Sequence, residues 1–269
     1  MNYRHAYHAG NFADVVKHIA LVTALLHLRK KDAPFAVIDT HAGRGRYDLA
    51  SDEAARTGEA EAGIARLRSL SAEAALCEYL RIVGDGASYP GSPLIAAALL
   101  RPQDRLVAIE KHPEEFAALR SALAGIANAR PEQGDGYEHL RALLPPPERR
   151  GLILVDPPFE AVDEFERQAE AMHMALRRFA TGVYLVWFPI KTGAAGDALC
   201  GELLNAGAKK LLRIDIDLGV DGSQLTAAGL AIVNPPFGFA GEMRSALAIV
   251  SPRLSPMART SIDWLAGSE

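Results

Sequence analysis

From about residue 105 onward, short apolar runs alternate with stretches of helical periodicity. Residues 106–110, 151–156 and 183–188 are the clearest runs, and Gly151-Leu-Ile-Leu-Val-Asp156 is almost continuously apolar. A strand with no polar alternation is buried on both faces, and only a mainly parallel sheet covered by helices on each side accommodates several such strands. A weaker strand is expected near 129–134, and two more at 211–218 and 230–234. No helical pattern separates the last two, so they are expected to close the sheet as an antiparallel edge pair, with a hairpin across Asp221-Gly222. Helices are expected after His112-Pro113, after Asp135-Gly136, and over 161–179 and 196–207.

The first part of the chain reads differently. Asn11 is a good helix N-cap, Asp14 suits the positive end of the dipole, and Val15, Ile19, Val22, Leu25 and Leu26 follow at helical spacing. The periodicity predicts a helix over about 12–31, followed by a buried strand at 35–39. Residues 47–104 are alanine-rich and helical in pattern, with no strand-like alternation. Ser92-Pro93 reads there as an N-cap followed by proline at the first helical position. This stretch is expected to be an inserted helical subdomain within a domain formed by 1–46 and 105–269. The 269 residues carry a net charge of −4, which excludes a polycation that coats nucleic acid but not a local basic face. Such a face is visible at the start: residues 1–31 hold Arg4, Lys17, Arg29, Lys30 and Lys31 against Asp14 alone, together with four of the eight histidines. Two cysteines make no disulfide framework or cysteine-based zinc site. No apolar run reaches the length of a membrane span, and a cytoplasmic protein is expected.

In a doubly wound sheet the ligand sits outside the C-terminal strand ends, close to backbone that must approach it. Asp39-Thr40-His41-Ala42-Gly43-Arg44-Gly45 supplies a glycine-bearing turn after the first strand. Glu110 ends the next strand, where a carboxylate accepts the two hydroxyls of a ribose, and Asp135-Gly136 repeats an acidic end on a third strand, in reach of an adenine amine. The strongest signal is Asp156-Pro157-Pro158-Phe159 after the fourth strand. The lone pair of an exocyclic base amine is delocalised into its ring. A carboxylate and a backbone carbonyl that accept its two N–H groups return electron density to nitrogen, so that it can attack a methyl group. Two prolines fix that backbone, and the aromatic ring stacks on the extruded base. Asn234-Pro235-Pro236-Phe237 has the same form but ends the last strand, at the far edge of the expected sheet, and reads as a turn. His5-x-x-His8 with His18 lacks a cysteine or carboxylate to complete a zinc set, so no metal is expected. No Gly-x-Ser-x-Gly elbow occurs.

The set formed by 39–45, Tyr89-Pro90-Gly91-Ser92-Pro93, Asp135-Gly136 and 156–159 resembles the RlmJ-type adenine-N6 methyltransferases of large-subunit ribosomal RNA. The opening Tyr3-Arg4-His5-x-x-His8-Ala9-Gly10-Asn11 is similar to that family's N-terminus, and the likeness spans essentially the whole chain. The family usually ends the last motif with Tyr where this chain has Phe159, which removes a hydroxyl contact but not the ring. The resemblance implies a class I, Rossmann-like methyltransferase fold: a mostly parallel seven-stranded sheet with helices on both faces and a small helical insertion. It implies S-adenosylmethionine as cofactor, held by His18, His41, Ser92, Glu110, Asp135 and Gly136, with Gly43 at the turn and Asp156 between cofactor and base. Pro157 and Phe159 complete the catalytic motif, and Tyr3, His5 and Lys17, in the N-terminal segment 1–33, lie on the substrate side. The implied substrate is an adenine of 23S ribosomal RNA, naked or protein-poor rather than in the mature ribosome, acted on by a monomer. A DNA adenine methyltransferase and a nicotinamide-dependent oxidoreductase remain the alternatives on the same sheet.

Overall fold

The computed structural model describes residues 5–68, 70, 74–191, 193–220 and 225–269. In chain order the elements are α1 (Phe12–Arg29), β1 (Ala36–Asp39), β2 (Arg46–Asp48), α2 (Asp52–Thr57), α3 (Glu59–Ala62), α4 (Ala74–Val83), β3 (Ser88–Pro90) and α5 (Ser92–Ala98). They continue as β4 (Arg105–Glu110), α6 (Pro113–Ala122), β5 (Ala129–Gln133), α7 (Gly136–Leu143), β6 (Gly151–Val155), α8 (Glu164–Arg178) and β7 (Val183–Pro189). The chain closes with α9 (Gly193–Asn205), β8 (Leu211–Asp217), β9 (Ala227–Val233), α10 (Phe239–Leu254) and β10 (Arg259–Ala266).

The main sheet runs β10-β8-β9-β7-β6-β1-β4-β5. From β5 to β7 all neighbours are parallel, whereas β7·β9, β9·β8 and β8·β10 are antiparallel. The apolar runs behave as two-faced strands. In β6, Leu152 and Leu154 face the layer of α1, α5 and α10, while Ile153 and Val155 face that of α7, α8 and α9. Val37 and Ile38 divide in the same way. Helix α1 has 15 of its 18 residues buried, which makes it an interior helix rather than a surface amphipath. Asn11 caps it through a hydrogen bond from the Asp14 amide. Leu76, Tyr79 and Ile95, from residues 47–104, share the core of α1.

Four expectations are corrected. The sheet has eight strands, not seven, because residues 259–266 add β10 beyond β8. With β10 in place, β8 and β9 are an antiparallel pair but not the edge, since β9 lies between β7 and β8; the Asp221-Gly222 turn lies outside the described residues. Residues 46–48 and 88–90 form a short antiparallel ribbon within a stretch expected to be purely helical. Three-residue strands are too short to show a period. Finally, the N-cap of α5 is Gly91, and Ser92 is the first helical residue. Its hydroxyl donates to the Asp39 carboxylate at 2.7 Å instead of accepting from a backbone amide as a cap would, and a hydrogen bond to a charged acceptor is the stronger of the two.

Candidate active site

Strand order reverses at β1, with β4 on one side and β6 on the other, so the C-terminal ends of these strands open a crevice. A cleft of about 410 Å³ occupies it. His5, Lys17, His18, His41, Gly43, Ser92, Glu110, Asp135, Gly136, Asp156, Pro157 and Phe159 all line this one cleft. Tyr3 lies outside the described residues.

The glycine turn is shaped by contacts that exclude side chains. Gly43 has a φ of 59°, and a Cβ there would lie 2.2 Å from the Tyr47 hydroxyl. Gly136 opens α7 directly on the end of β1, where a Cβ would lie 2.0 Å from the Thr40 carbonyl oxygen. The Gly43 amide donates to Glu110 Oε2 at 2.9 Å and the His112 amide to Oε1 at 2.6 Å, so the turn after β1 and the end of β4 are tied through one carboxylate. Burial raises the Glu110 pKa, and those two amides partly oppose the rise. Asp39 is buried and accepts hydrogen bonds from Ser92 Oγ at 2.7 Å and the His41 amide at 3.4 Å. Burial, and the nearby charge of Asp156, raise its pKa to about 7.

Asp135 caps α7, accepting from the Tyr137 amide at 3.0 Å, while its other oxygen meets Lys111 at 3.0 Å and Arg167 at 3.1 Å. His41 packs edge-on against Tyr137 at 5.0 Å. Thr40 Oγ1 donates to the Leu154 carbonyl, so the 2.7 Å contact between that hydroxyl and His41 Nδ1 has the imidazole as donor. Burial lowers the His41 pKa to about 4 and that of His18 to about 3; His18 bonds Tyr89, which bonds Tyr79.

The end of β6 carries the densest charge. Lys17 Nζ donates to Asp14 Oδ1 at 2.7 Å and also to Asp156 Oδ2, linking α1 to the motif 139 residues away. Burial alone would lower the Lys17 pKa; Asp14 and Asp156 outweigh it and raise it. Asp14, itself 1% exposed, also accepts from the Gly10 amide at 2.9 Å and His5 Nε2 at 2.8 Å. Burial would raise its pKa, yet His5 and Lys17 hold it well below the usual carboxylate range. Asp156 lines the cleft, and among the described residues Lys17 is its one side-chain donor, so that Oδ1 has no hydrogen-bond partner among them. Phe159, at a φ of 48°, packs against Phe165 at 4.6 Å and Trp187 at 5.7 Å.

Asn234 is elsewhere. Its side chain donates to the Ala180 and Gly182 carbonyls at 2.8 Å each, before β7 begins. Antiparallel β9 carries it to the end of the sheet opposite the cleft.

Sequence reasoning did not single out Asp14 as a site residue, although its i, i+3 spacing to Lys17 was the available signal. Trp187, Tyr47 and Glu59 also line the cleft. Glu59 meets His8 at 2.9 Å and Asn11 at 3.0 Å, a pairing between distant segments that local patterning does not reveal.

A family model described as "RsmJ: Ribosomal RNA large subunit methyltransferase D, RlmJ" matches residues 32–266. The chain is 38% identical to "Ribosomal RNA large subunit methyltransferase J" of Escherichia coli (strain K12), over 98% of this chain and 99% of that protein. It is 36% identical to the protein of the same name from Haemophilus influenzae, with the same coverage. A crystal structure of a Legionella pneumophila protein superposes with a TM-score of 0.88 at 35% identity, covering 97% of this chain and 99% of that one.

Proposed function

This chain belongs to the RlmJ family of large-subunit ribosomal RNA methyltransferases, and on that premise we propose that it transfers a methyl group from S-adenosylmethionine to the exocyclic N6 of an adenine in 23S ribosomal RNA. The observation that carries the adenine reading is Asp156, which lines the cleft: one oxygen is held by Lys17 and the other has no hydrogen-bond partner among the described residues.

The cleft fits the cofactor in volume and in donors. Its size falls within the usual range for small-molecule sites. Gly43 and Gly136 keep the walls free of side chains, and Glu110 places a carboxylate where ribose hydroxyls are met. When bound, S-adenosylmethionine supplies an electrophilic methyl on a positively charged sulfur. Glu110 and Ser92 bind and orient it, with His18, His41, Asp135 and Gly136 forming the remaining wall. The Lys111 and Arg167 contacts of Asp135 leave its role to shaping that wall as much as to meeting an adenine amine.

Asp156 Oδ1 accepts one N6–H of the extruded base. Lys17 stops the carboxylate from rotating, so the acceptor is preorganised and the nitrogen lone pair is directed at the methyl. Lys17 itself is kept protonated by its two carboxylates and is no base. Pro157 and Pro158 hold the backbone, and Phe159 offers the ring face, supported by Trp187. His5 and Lys17, with Tyr3 beyond the described residues, form the substrate side. The working state is a monomer in the cytoplasm acting on protein-poor 23S RNA.

The test is substitution at Asp156. Asp156→Ala should lower the methylation rate by roughly 10²–10³ while S-adenosylmethionine affinity stays within a few-fold. Asp156→Asn should also be poor, because an amide offers one oxygen and no charge. Asn234→Ala is the control for the distant copy of the motif, with kcat at saturating RNA as the quantity that should stay unchanged. Near-normal turnover in Asp156→Ala would remove the assignment.

A further inference from the structure

The second Pro-Pro-Phe sequence is left unexplained by the chemistry of the cleft. Its phenylalanine differs sharply from Phe159. Phe237 is 82% exposed, whereas Phe159 packs against Phe165 and Trp187. The loop that carries Phe237 is nonetheless pinned. Asn234 sits at a φ of 53°, a conformation that Asn tolerates better than most residues, with its side chain bonded to two carbonyls and its amide donating to the Lys210 carbonyl at 3.0 Å. Two prolines follow, of which Pro235 is buried, and the Phe239 amide closes the turn on the Pro236 carbonyl at 3.0 Å. The backbone that presents the ring to water therefore has little conformational freedom left to lose when something stacks on it.

The surroundings are cationic. Through Asn234 the loop abuts Lys209-Lys210, and through Gly238 it lies against His27 on the last turn of α1, which runs into Arg29, Lys30 and Lys31. Arg29, Lys31, Lys209 and Lys210 are exposed and form no ion pair among the described residues. The acids on this side are fewer than the cations: Glu242 meets His27 at 3.0 Å and Lys30 at 3.9 Å, Glu78 pairs with Arg81, and Glu269, bonded to the neutral Gly241 amide, and Asp32 keep their charge against Arg29, Lys30, Lys31, Lys209 and Lys210. In a chain of net charge −4 this is a local concentration of positive charge around one exposed ring.

We infer that Phe237, with Lys209, Lys210 and the Arg29–Lys31 end of α1, is a second contact for the substrate RNA, at the opposite end of the sheet from the cleft. The ring stacks on an unpaired base and the cations neutralise the flanking phosphates, the combination that binds single-stranded RNA without reading its sequence. A protein partner or a second copy would want an apolar patch around Phe237, whereas the exposed side chains that the loop adjoins at Lys209-Lys210 and at the end of α1 are charged. The inference rests on the RNA-methyltransferase reading, and it adds a surface that the chemistry does not need.

Phe237→Ala and Lys209→Glu/Lys210→Glu are compared with the unaltered protein on a protein-free 23S ribosomal RNA transcript. Phe237→Ala should raise the RNA Kd and KM roughly 10-fold, with kcat and S-adenosylmethionine affinity unchanged. The double substitution should lower the slope of log K against log salt by about 2. Circular dichroism checks that both variants fold, as surface positions should allow. Unchanged RNA affinity and salt slope in both variants would overturn the inference while leaving the proposed activity intact. So would a Phe237→Ala effect confined to molecular mass in light scattering, which would make the face a protein contact. Absence of RNA methylation in the unaltered protein would count against the proposed activity, and the RNA titrations would still decide this surface.

Discussion

At the scale of single residues, the cleft separates groups by what surrounds them. Glu110 lines the cleft, and each of its oxygens accepts one backbone amide and has a further lone pair to offer, so its loss should be felt in binding rather than chemistry. Glu110→Ala should weaken S-adenosylmethionine binding by up to about 1.5–3 kcal/mol for each ribose hydrogen bond lost, with turnover recovering at saturating cofactor. Calorimetry combined with a cofactor titration of the rate checks this. Lys17 is different, because it is buried between two carboxylates. Lys17→Met should cost about 3–5 kcal/mol of unfolding free energy, since Asp14 would stay buried without its cation. Adding Asp14→Leu should restore much of that stability in denaturant melts without restoring methyl transfer. Recovery of both together would mean that Lys17 only props up the fold.

Among elements, α1 is the connection between substrate side and chemistry. Its buried face reaches the sheet, its first two turns carry Asp14 and Lys17, and the 3-10 turn His5–Tyr7 is tied to it through His5 and Asp14, while His8 bonds Glu59 of α3. Deletion of residues 1–8 leaves the Asn11 cap in place. Methylation of RNA should then fall far more than S-adenosylmethionine affinity, with Tyr3→Ala giving a milder form. Paired cofactor titrations and RNA rate measurements check it. Full activity in the truncated enzyme would move the substrate face to residues 47–104, whose Glu59 and Tyr47 also line the cleft.

For the molecule as a whole, buried titratable groups give stability a pH slope with a definite sign. His18 and His41 have folded pKa values of about 3 and about 4, below the ordinary 6.5, so the unfolded chain binds more protons as pH falls below about 6.5. Each therefore removes stability on acidification. Asp39, raised to about 7 from 3.8, acts in the opposite sense: its contribution is present at low pH and fades as pH rises from about 4 to 7. In the window between about pH 4 and 6.5 burial also lowers the His27 pKa, which adds to His18 and His41, and raises that of Glu110, which adds to Asp39. The three histidines outnumber the two carboxylates, so unfolding free energy should rise with pH there, by on the order of 1.4 kcal/mol per unit for each proton of the difference. His18→Gln should flatten the slope by about one proton, measured by denaturant melts across pH.

The two-faced parallel strands, the glycine turn, Glu110 and the Asp156 motif are legible in the sequence, because each is a local signal. An unbroken apolar run, a glycine between strand and helix, and two consecutive prolines restrict the backbone wherever they occur. The family likeness added His18, His41 and Ser92, which have no local signature. Relations between distant segments carry no such signal and emerge from the packing of the folded chain. Lys17 meets Asp156 because α1 is buried against the sheet, and Glu59 meets His8 because two segments about 50 residues apart pack together. Strand β10 was missed although Ile262 and Trp264 alternate with Ser261 and Asp263, since a half-exposed edge strand has weak hydrophobic contrast. The two Pro-Pro-Phe loops, nearly identical as strings, were separated by strand direction alone: parallel β6 delivers Asp156 to the cleft, and antiparallel β9 delivers Asn234 to the opposite end.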